Sequence, residues 1–401
     1  MKVAIGGTGN IVGWAARALA VFVAVAGLIG ANSAFAETKD VKIGLAAYQD
    51  LLSLTIAKEK GWDKEEGLNF VFIEVEWREG HEFLASGAVD FTSSCDGDEV
   101  SRAEKIPDIV LTNLLYLFAA HGVAVRGDSG MKTYWEHRGE GLDKKAAITQ
   151  TMQQLKGSMI ILTKGLGMDA ALKKAAEEAG LNYPGDFELI DMSHADGLAA
   201  FLGGSGDGYI GGIPQRLRAV KEGAKILFDE SIYAEAVLHC GMATRMQYVD
   251  ANPEVPIKLQ KIMFRTLRYI EQNPREGLTH IVDEVNKRSA ANMTFDELNA
   301  AWNEMEFFPS NARWAFTTAV SPEGSQYWRA GLEFRMNTYL ADGTLTKAVD
   351  IAGVYHVPEV LAEYMRQYEP GTYDWTFGIA KRRFQGRPDE FKKVYGLGLD
   401  Y

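Results

Sequence analysis

Apolar residues recur with period two in short runs and with helical spacing between them. In VKIGLAAYQD (41–50), Val41, Ile43 and Leu45 alternate with polar or small residues, which predicts a strand that ends in a polar loop. Residues 51–60 read as a helix stopped by Gly61. Further strands are expected over 69–75, 89–92 and 109–111, with a helix from about 80 to 86. This β-α-β-α-β order implies a parallel sheet with helices on both faces.

The same unit recurs after residue 150. A strand over 159–163 leads into a helix over 168–179. Met168, Ala171, Leu172, Ala175, Ala176 and Ala179 share one face of it, and Gly180 closes it. A strand over 187–191 follows, then Ser193-His194-Ala195-Asp196 with the spacing of a helix cap. Short strands are expected over 208–211, 225–228 and 236–243, and Pro214 suits the first turn of a helix. Two α/β lobes result, joined by chain passages near 117–126 and 236–245. The expected division is 37–122 with about 240–401 as lobe one and 123–239 as lobe two. Residues 127–150 are polar and read as an irregular or partly helical excursion. Beyond Pro253 the pattern turns helical, over 257–272 and again over 294–305, where Thr294 and Glu297 have capping-box spacing. The tail beyond about 369 is rich in Gly, Tyr and basic residues and is expected to wrap the surface. Open parallel sheets bind ligands beyond the carboxyl ends of their strands, so two facing lobes make a cleft there.

The first 36 residues stand apart. Lys2 and Arg17 are their only charges, an apolar run covers 18–29, and Ala34-Phe35-Ala36 supplies small residues before Glu37. This is the pattern of a cleavable secretory signal. The run is short of the roughly 20 apolar residues that a membrane span needs. Removing the segment takes the net charge of −12 to −14, because it carries two positive charges and no negative one. So acidic a protein is not expected to bind nucleic acid or anionic membrane surfaces. The two cysteines, Cys95 and Cys240, are too few for a zinc site alone. Export permits a disulfide between them, but two separate buried thiols are the preferred expectation. Seven scattered histidines with no H-x-x-x-H pair give no metal site.

At this point the sequence resembles the nitrate/sulfonate/taurine-type substrate-binding proteins, a family that includes binders of thiamine-pyrimidine and flavin precursors. The resemblance is carried by VKIGLAAYQDLLSLTIAKEKGWDKEEGL (41–68), HEFLASGAVDFTSS (81–94), QLKGSMIILTKGLGMDAALKKAAEEAGL (154–181) and DGLAAFLGGSGDGYIGGIPQ (196–215), and covers about 41–305. It implies the two-lobed type II periplasmic-binding fold, with a parallel-rich sheet in each lobe and a two-strand hinge. It also implies a periplasmic monomer that binds a small molecule without a cofactor and hands it to an ABC permease in the inner membrane. Three features depart from the pattern. The 127–150 excursion is long, the chain after about 340 is extended, and Ile213-Pro214 stands where many relatives place an aromatic before the proline.

Loops at strand ends supply the candidate ligand residues. Tyr48 and Gln49 follow the first strand and match the family's ligand-facing loop, whereas Asp50 reads as a helix cap. Trp77 could stack on a planar ligand or pack between lobes. Ser93 and Ser94 suit polar or anionic atoms at a helix start, or simply cap it. Asp96, Asp98 and Glu99 could counter an amine or only complement the helix dipole. Tyr116 lines the cleft or packs beside the hinge. Lys164 and Gly165, between a strand and a helix, offer a cation and close backbone approach. His194 sits at a helix start, and Asp207 matches the acidic position of the family motif. Arg216 reads as a solvated helix residue. The function expected is capture of a small polar organic molecule, a sulfonate or zwitterion, for import. A planar heterocycle such as a thiamine-pyrimidine or flavin precursor is the alternative. Two further readings are weaker. One is a periplasmic sensor. The other is an enzyme like the fungal pyrimidine synthases, whose cysteine-rich iron run is reduced here to Cys95 flanked by serines.

Overall fold

The computed structural model describes residues 38–164, 168–289, 291–302 and 304–398. The secretory-signal expectation and Gly165 therefore lie outside the described residues. Lobe one is built on six strands: β1 (Lys39–Leu45), β2 (Leu68–Glu74), β3 (Phe91–Cys95), β4 (Ile109–Phe118), β10 (Leu238–Arg245) and β11 (Glu306–Phe307). Their order is β11-β4-β10-β3-β1-β2. β1 pairs parallel with β2 and β3, and β10 runs antiparallel between β3 and β4. All ten residues of β4 are buried, as expected of a strand covered on both faces. The first apolar cluster joins Val41, Ile43 and Leu45 to the helix Glu254–Gln272 through Leu259, Ile262 and Met263.

Lobe two holds β5 (Gly122–Arg126), β6 (Met159–Leu162), β7 (Glu188–Asp191), β8 (Gly208–Tyr209) and β9 (Ala224–Asp229). Their order is β7-β6-β8-β5-β9, with β6 parallel to β7 and β8. Side chains alternate along β6. Ile160 and Leu162 pack on helices Lys144–Gln154 and Ala170–Glu178, whereas Ile161 packs with Phe201 and Ala219 of helices His194–Leu202 and Ile213–Lys221. Helices thus cover both faces. The expected two-lobed α/β architecture is what the chain forms.

The 127–150 stretch is partly helical, as expected, with Thr133 and Glu136 forming a capping box before Tyr134–Gly139 and Asp143 capping Lys144–Gln154. Three expectations need correction. The tail does not merely wrap the surface. Phe377, Phe391 and Tyr395 are buried in a second lobe-one cluster with Phe316, Trp328 and Tyr355, because aromatics at helical spacing bury large apolar area. Arg216 is buried rather than solvated; it donates to Ala120 O at 2.7 Å and to Asp229 at 2.9 Å. Finally, Cys95 and Cys240 form a disulfide. They sit directly opposite each other in the β3–β10 ladder, a register that the sequence could not reveal.

Two crossings join the lobes, 119–121 between β4 and β5, and 230–237 between β9 and β10. The His121 and Glu230 backbones and side chains clasp them together. The His121 N–H donates to Glu230 Oε2 at 3.1 Å, its ring Nδ1 lies 3.1 Å from Oε1, and the Glu230 N–H donates to His121 O at 3.0 Å. The helix Trp328–Asp342 runs alongside. Its buried Arg335 donates to the carbonyls of Ala236 and Val237 at 2.8 and 2.9 Å and stands 3.6 Å from Asp96.

Candidate functional site

The carboxyl ends of β1, β2, β3, β7 and β8 converge on one pocket between the lobes. Its cavity volume is about 40 Å³, a narrow space with the lobes in contact across it. Lobe one contributes Tyr48, Asp50, Trp77, Cys95, Asp98, Tyr116, Phe118 and Leu238, the hinge His121, and lobe two His194 and Gly212. Aromatic rings form most of the wall. Tyr48 meets Trp77 edge-on with centroids 5.6 Å apart and His194 at 5.9 Å. The Phe118 and His121 rings lie 4.6 Å apart.

The lobes touch across this cleft. The Tyr48 hydroxyl hydrogen-bonds His194 Nδ1. Gly212 lies against the same ring, and a Cβ there would stand 2.8 Å from Tyr48 Cε1; only glycine permits that approach. At the rim, Arg78 of lobe one donates to Asp191 and to Lys164 O of lobe two, both at 2.8 Å. Lys221 pairs with Glu297 at 3.0 Å.

Beneath the rings the wall is acidic. Asp50 caps the turn at Leu51 and is hydrogen-bonded to Tyr116 and Glu306. Glu306, fully buried at the sheet edge, accepts from Gln49 Nε2 on both oxygens at 3.0 Å. Burial pushes both carboxyls up, Glu306 well above its ordinary range, and two touching carboxyls must share a proton. Asp98 accepts from Trp77 Nε1 at 2.9 Å on Oδ2; its Oδ1 has no hydrogen-bond partner, and Arg102 Nη1 stands 3.7 Å away. Burial raises the Asp98 carboxyl too. Burial and the neighbouring His121 and Arg78 hold the His194 imidazole down to about 3, so it is neutral.

Of the sequence-derived candidates, the structure brings Tyr48, Trp77, Tyr116 and His194 together on the pocket wall. Gln49 is buried behind it on Glu306. Ser93 lies under the β1 loop, where Ala46 N–H reaches its hydroxyl at 3.5 Å. Ser94 is buried with His81 and Glu99. The Lys164 side chain is exposed. Asp207 is exposed and accepts from Met159 N–H at 2.9 Å, at the amino end of β6 and away from the cleft. Sequence reasoning passed over Phe118, His121, Gly212 and Leu238. All four lie in or beside the hinge or the close lobe contact, where spacing along the chain gives no signal.

The NMT1-like family profile matches residues 34–280, and the chain belongs to that family. No curated protein sequence matches it. Solved structures share its fold. The periplasmic nitrate-binding protein of Synechocystis aligns with a TM-score of 0.62 at 15% identity, over 83% of this chain and 90% of that one. The periplasmic aliphatic sulphonate binding protein of Escherichia coli gives 0.58 at 14%, over 79% and 91%. A desulfurization enzyme gives 0.55 at 12%, over 82% and 100%. The two-lobed α/β fold of these structures is therefore the class, and within it this chain is an NMT1-like family member with a long helical extension.

Proposed function

We propose that this protein is an extracytoplasmic solute receptor that closes on a small organic molecule and presents it to an ABC permease. The observation that carries the reading is a cleft at the strand carboxyl ends, walled by aromatics from one lobe and met by His194 and Gly212 of the other. Hinge closure around a ligand is how such two-lobed receptors work, and the neighbours named as nitrate and sulphonate binding proteins support it. The Cys95–Cys240 bridge suits an oxidising compartment such as the periplasm.

Binding without chemistry is the reading the side chains favour. Ser94, His81 and Glu99 superficially suggest a nucleophile, base and acid, but all three are at most 2% exposed. Ser94 and Glu99 both face His81 Nε2, at 3.2 and 3.0 Å, and Nδ1 is unpartnered. A working triad needs the acid on the second nitrogen. Cys95 is bridged and is no thiolate.

Thermal-shift screening of the purified protein against sulfonates, nitrate, amino acids, polyamines, pyrimidines and flavins tests this. One chemical class should raise Tm in step with concentration and be recovered unchanged. Turnover of a bound compound would overturn the reading.

A further inference from the structure

We infer that the buried end of this cleft takes a positively charged nitrogen head, an amine or amidine, and excludes sulfonate, nitrate and other anions. The inference rests on the receptor reading and narrows its ligand.

The charges facing the pocket are of one sign. Asp50 and Asp98 line it at 3% and 2% exposure, and Glu306 backs Asp50. No Lys or Arg lines it among the described residues. Arg102 does not line it but is ion-paired with Asp98 Oδ1 at 3.7 Å. The two pocket histidines have each committed one nitrogen, His121 to Glu230 and His194 to Tyr48. His194 is held neutral by burial, so it brings no positive charge.

The second observation is the open valence. Asp98 lines the pocket, and its buried Oδ1 has no hydrogen bond, only the long ion pair with Arg102 Nη1 at 3.7 Å. Buried carboxylate oxygens normally accept hydrogen bonds, so this one has capacity for a donor from a ligand. Asp98 Oδ2 is fixed by the Trp77 indole at 2.9 Å. Tyr48, Trp77 and Tyr116 line the pocket, and aromatic ring faces attract a cation and repel an anion. A sulfonate in this space would meet carboxyl oxygens and ring faces with no cation to offset them.

The test is a set of isosteric ligands on one short carbon frame: alkylamine, alkylamidine, N-acetylated amine, aminosulfonate and alkylsulfonate. Each is titrated into the full-length mature protein by calorimetry. The amine or amidine should bind at least tenfold more tightly than the acetylated and sulfonated partners. Asp98→Asn, checked for an unchanged circular dichroism spectrum, should lose at least tenfold in amine affinity. The wild-type series stands even where the variant does not fold. Tighter binding of the sulfonate, or of the uncharged frame, overturns the inference and leaves the receptor reading intact. No binding by any frame, with no Tm shift across the wider screen, overturns both.

Discussion

At the scale of single residues, Gly212 and Tyr48 decide whether the lobes can meet. A Cβ at Gly212 would fall 2.8 Å from the Tyr48 ring, so Gly212→Val should hold the cleft ajar. Ligand affinity should fall at least tenfold with little loss of Tm, since the position sits at a contact between lobes rather than in a core. Small-angle scattering with saturating ligand checks it, and a radius of gyration that still contracts as in wild type would contradict it. The buried acids give a second prediction. Glu306 and Asp50 have folded-state values raised above their unfolded ones by burial. Groups raised in this way contribute fully below about pH 4 and lose that contribution as pH rises through the folded value. Asp96, pushed up to about 6 by burial, has the same sign. Burial pulls His356 down, but Glu359 raises it further, and it also acts in this direction. Above pH 7, His194 and His239, both held to about 3 by burial, are neutral folded and unfolded and drop out. The urea midpoint should therefore fall between pH 7 and 8.5. Glu306→Gln should flatten part of that slope; an unaltered slope would mean that the carboxyl pair does not hold its proton. These residue roles were only partly legible beforehand. Tyr48, Trp77 and His194 were visible because they follow strands. Glu306 was not, because a residue 257 positions from its Gln49 partner leaves no pattern in the sequence.

Among the elements, the helices and strands with clear periodicity formed where expected. Examples are the helix Gly80–Ser86, the cap at Ser193, and the capping box of Thr294 and Glu297. Each of these is encoded within a few residues. What pairs distant elements was not encoded locally: the β3–β10 register that joins the cysteines, and the burial of the tail aromatics. The disulfide closes a separation of 145 residues, for which chain entropy predicts roughly 5 kcal/mol against typical measured values of about 2–4. Replacing both cysteines by alanine should lower the unfolding free energy by about 2–5 kcal/mol and leave the pocket acids in place. Equal urea midpoints for oxidised and reduced protein would show that the bridge contributes nothing. Arg335 is the comparable device in the extension. It is buried on three hinge carbonyls and on Asp96, the first residue of the helix that carries Asp98. Arg335→Met strands a buried carboxyl, and losses of about 3–5 kcal/mol are usual for such half-broken pairs. The double change with Asp96→Asn should recover much of that loss, which a double-mutant cycle measures.

For the whole molecule, the extension matters because it touches both lobes. Phe334 of the helix Trp328–Asp342 packs with the lobe-two cluster, and Lys174 of lobe two lies over its ring. Lys173, also of lobe two, donates to Thr338 O at 3.1 Å. The same helix is fixed to lobe one through Trp328, Leu332 and Tyr339. A two-lobed fold with only two crossings can swing freely about them, whereas this one carries a third tie that must slide or part when the lobes separate. Rim pairs such as Arg78–Asp191 cannot serve instead, since both partners are 45% exposed and exposed pairs contribute little. The tie should therefore set how often the empty protein is closed. Apparent affinity scales with the fraction already competent to bind. Phe334→Ala with Lys173→Ala should widen the ligand-free scattering envelope and weaken binding several-fold. The ligand-saturated envelope should stay that of wild type, because ligand contacts then hold the lobes together. A ligand-free envelope unchanged by both substitutions would mean that the extension rides on the hinge without restraining it.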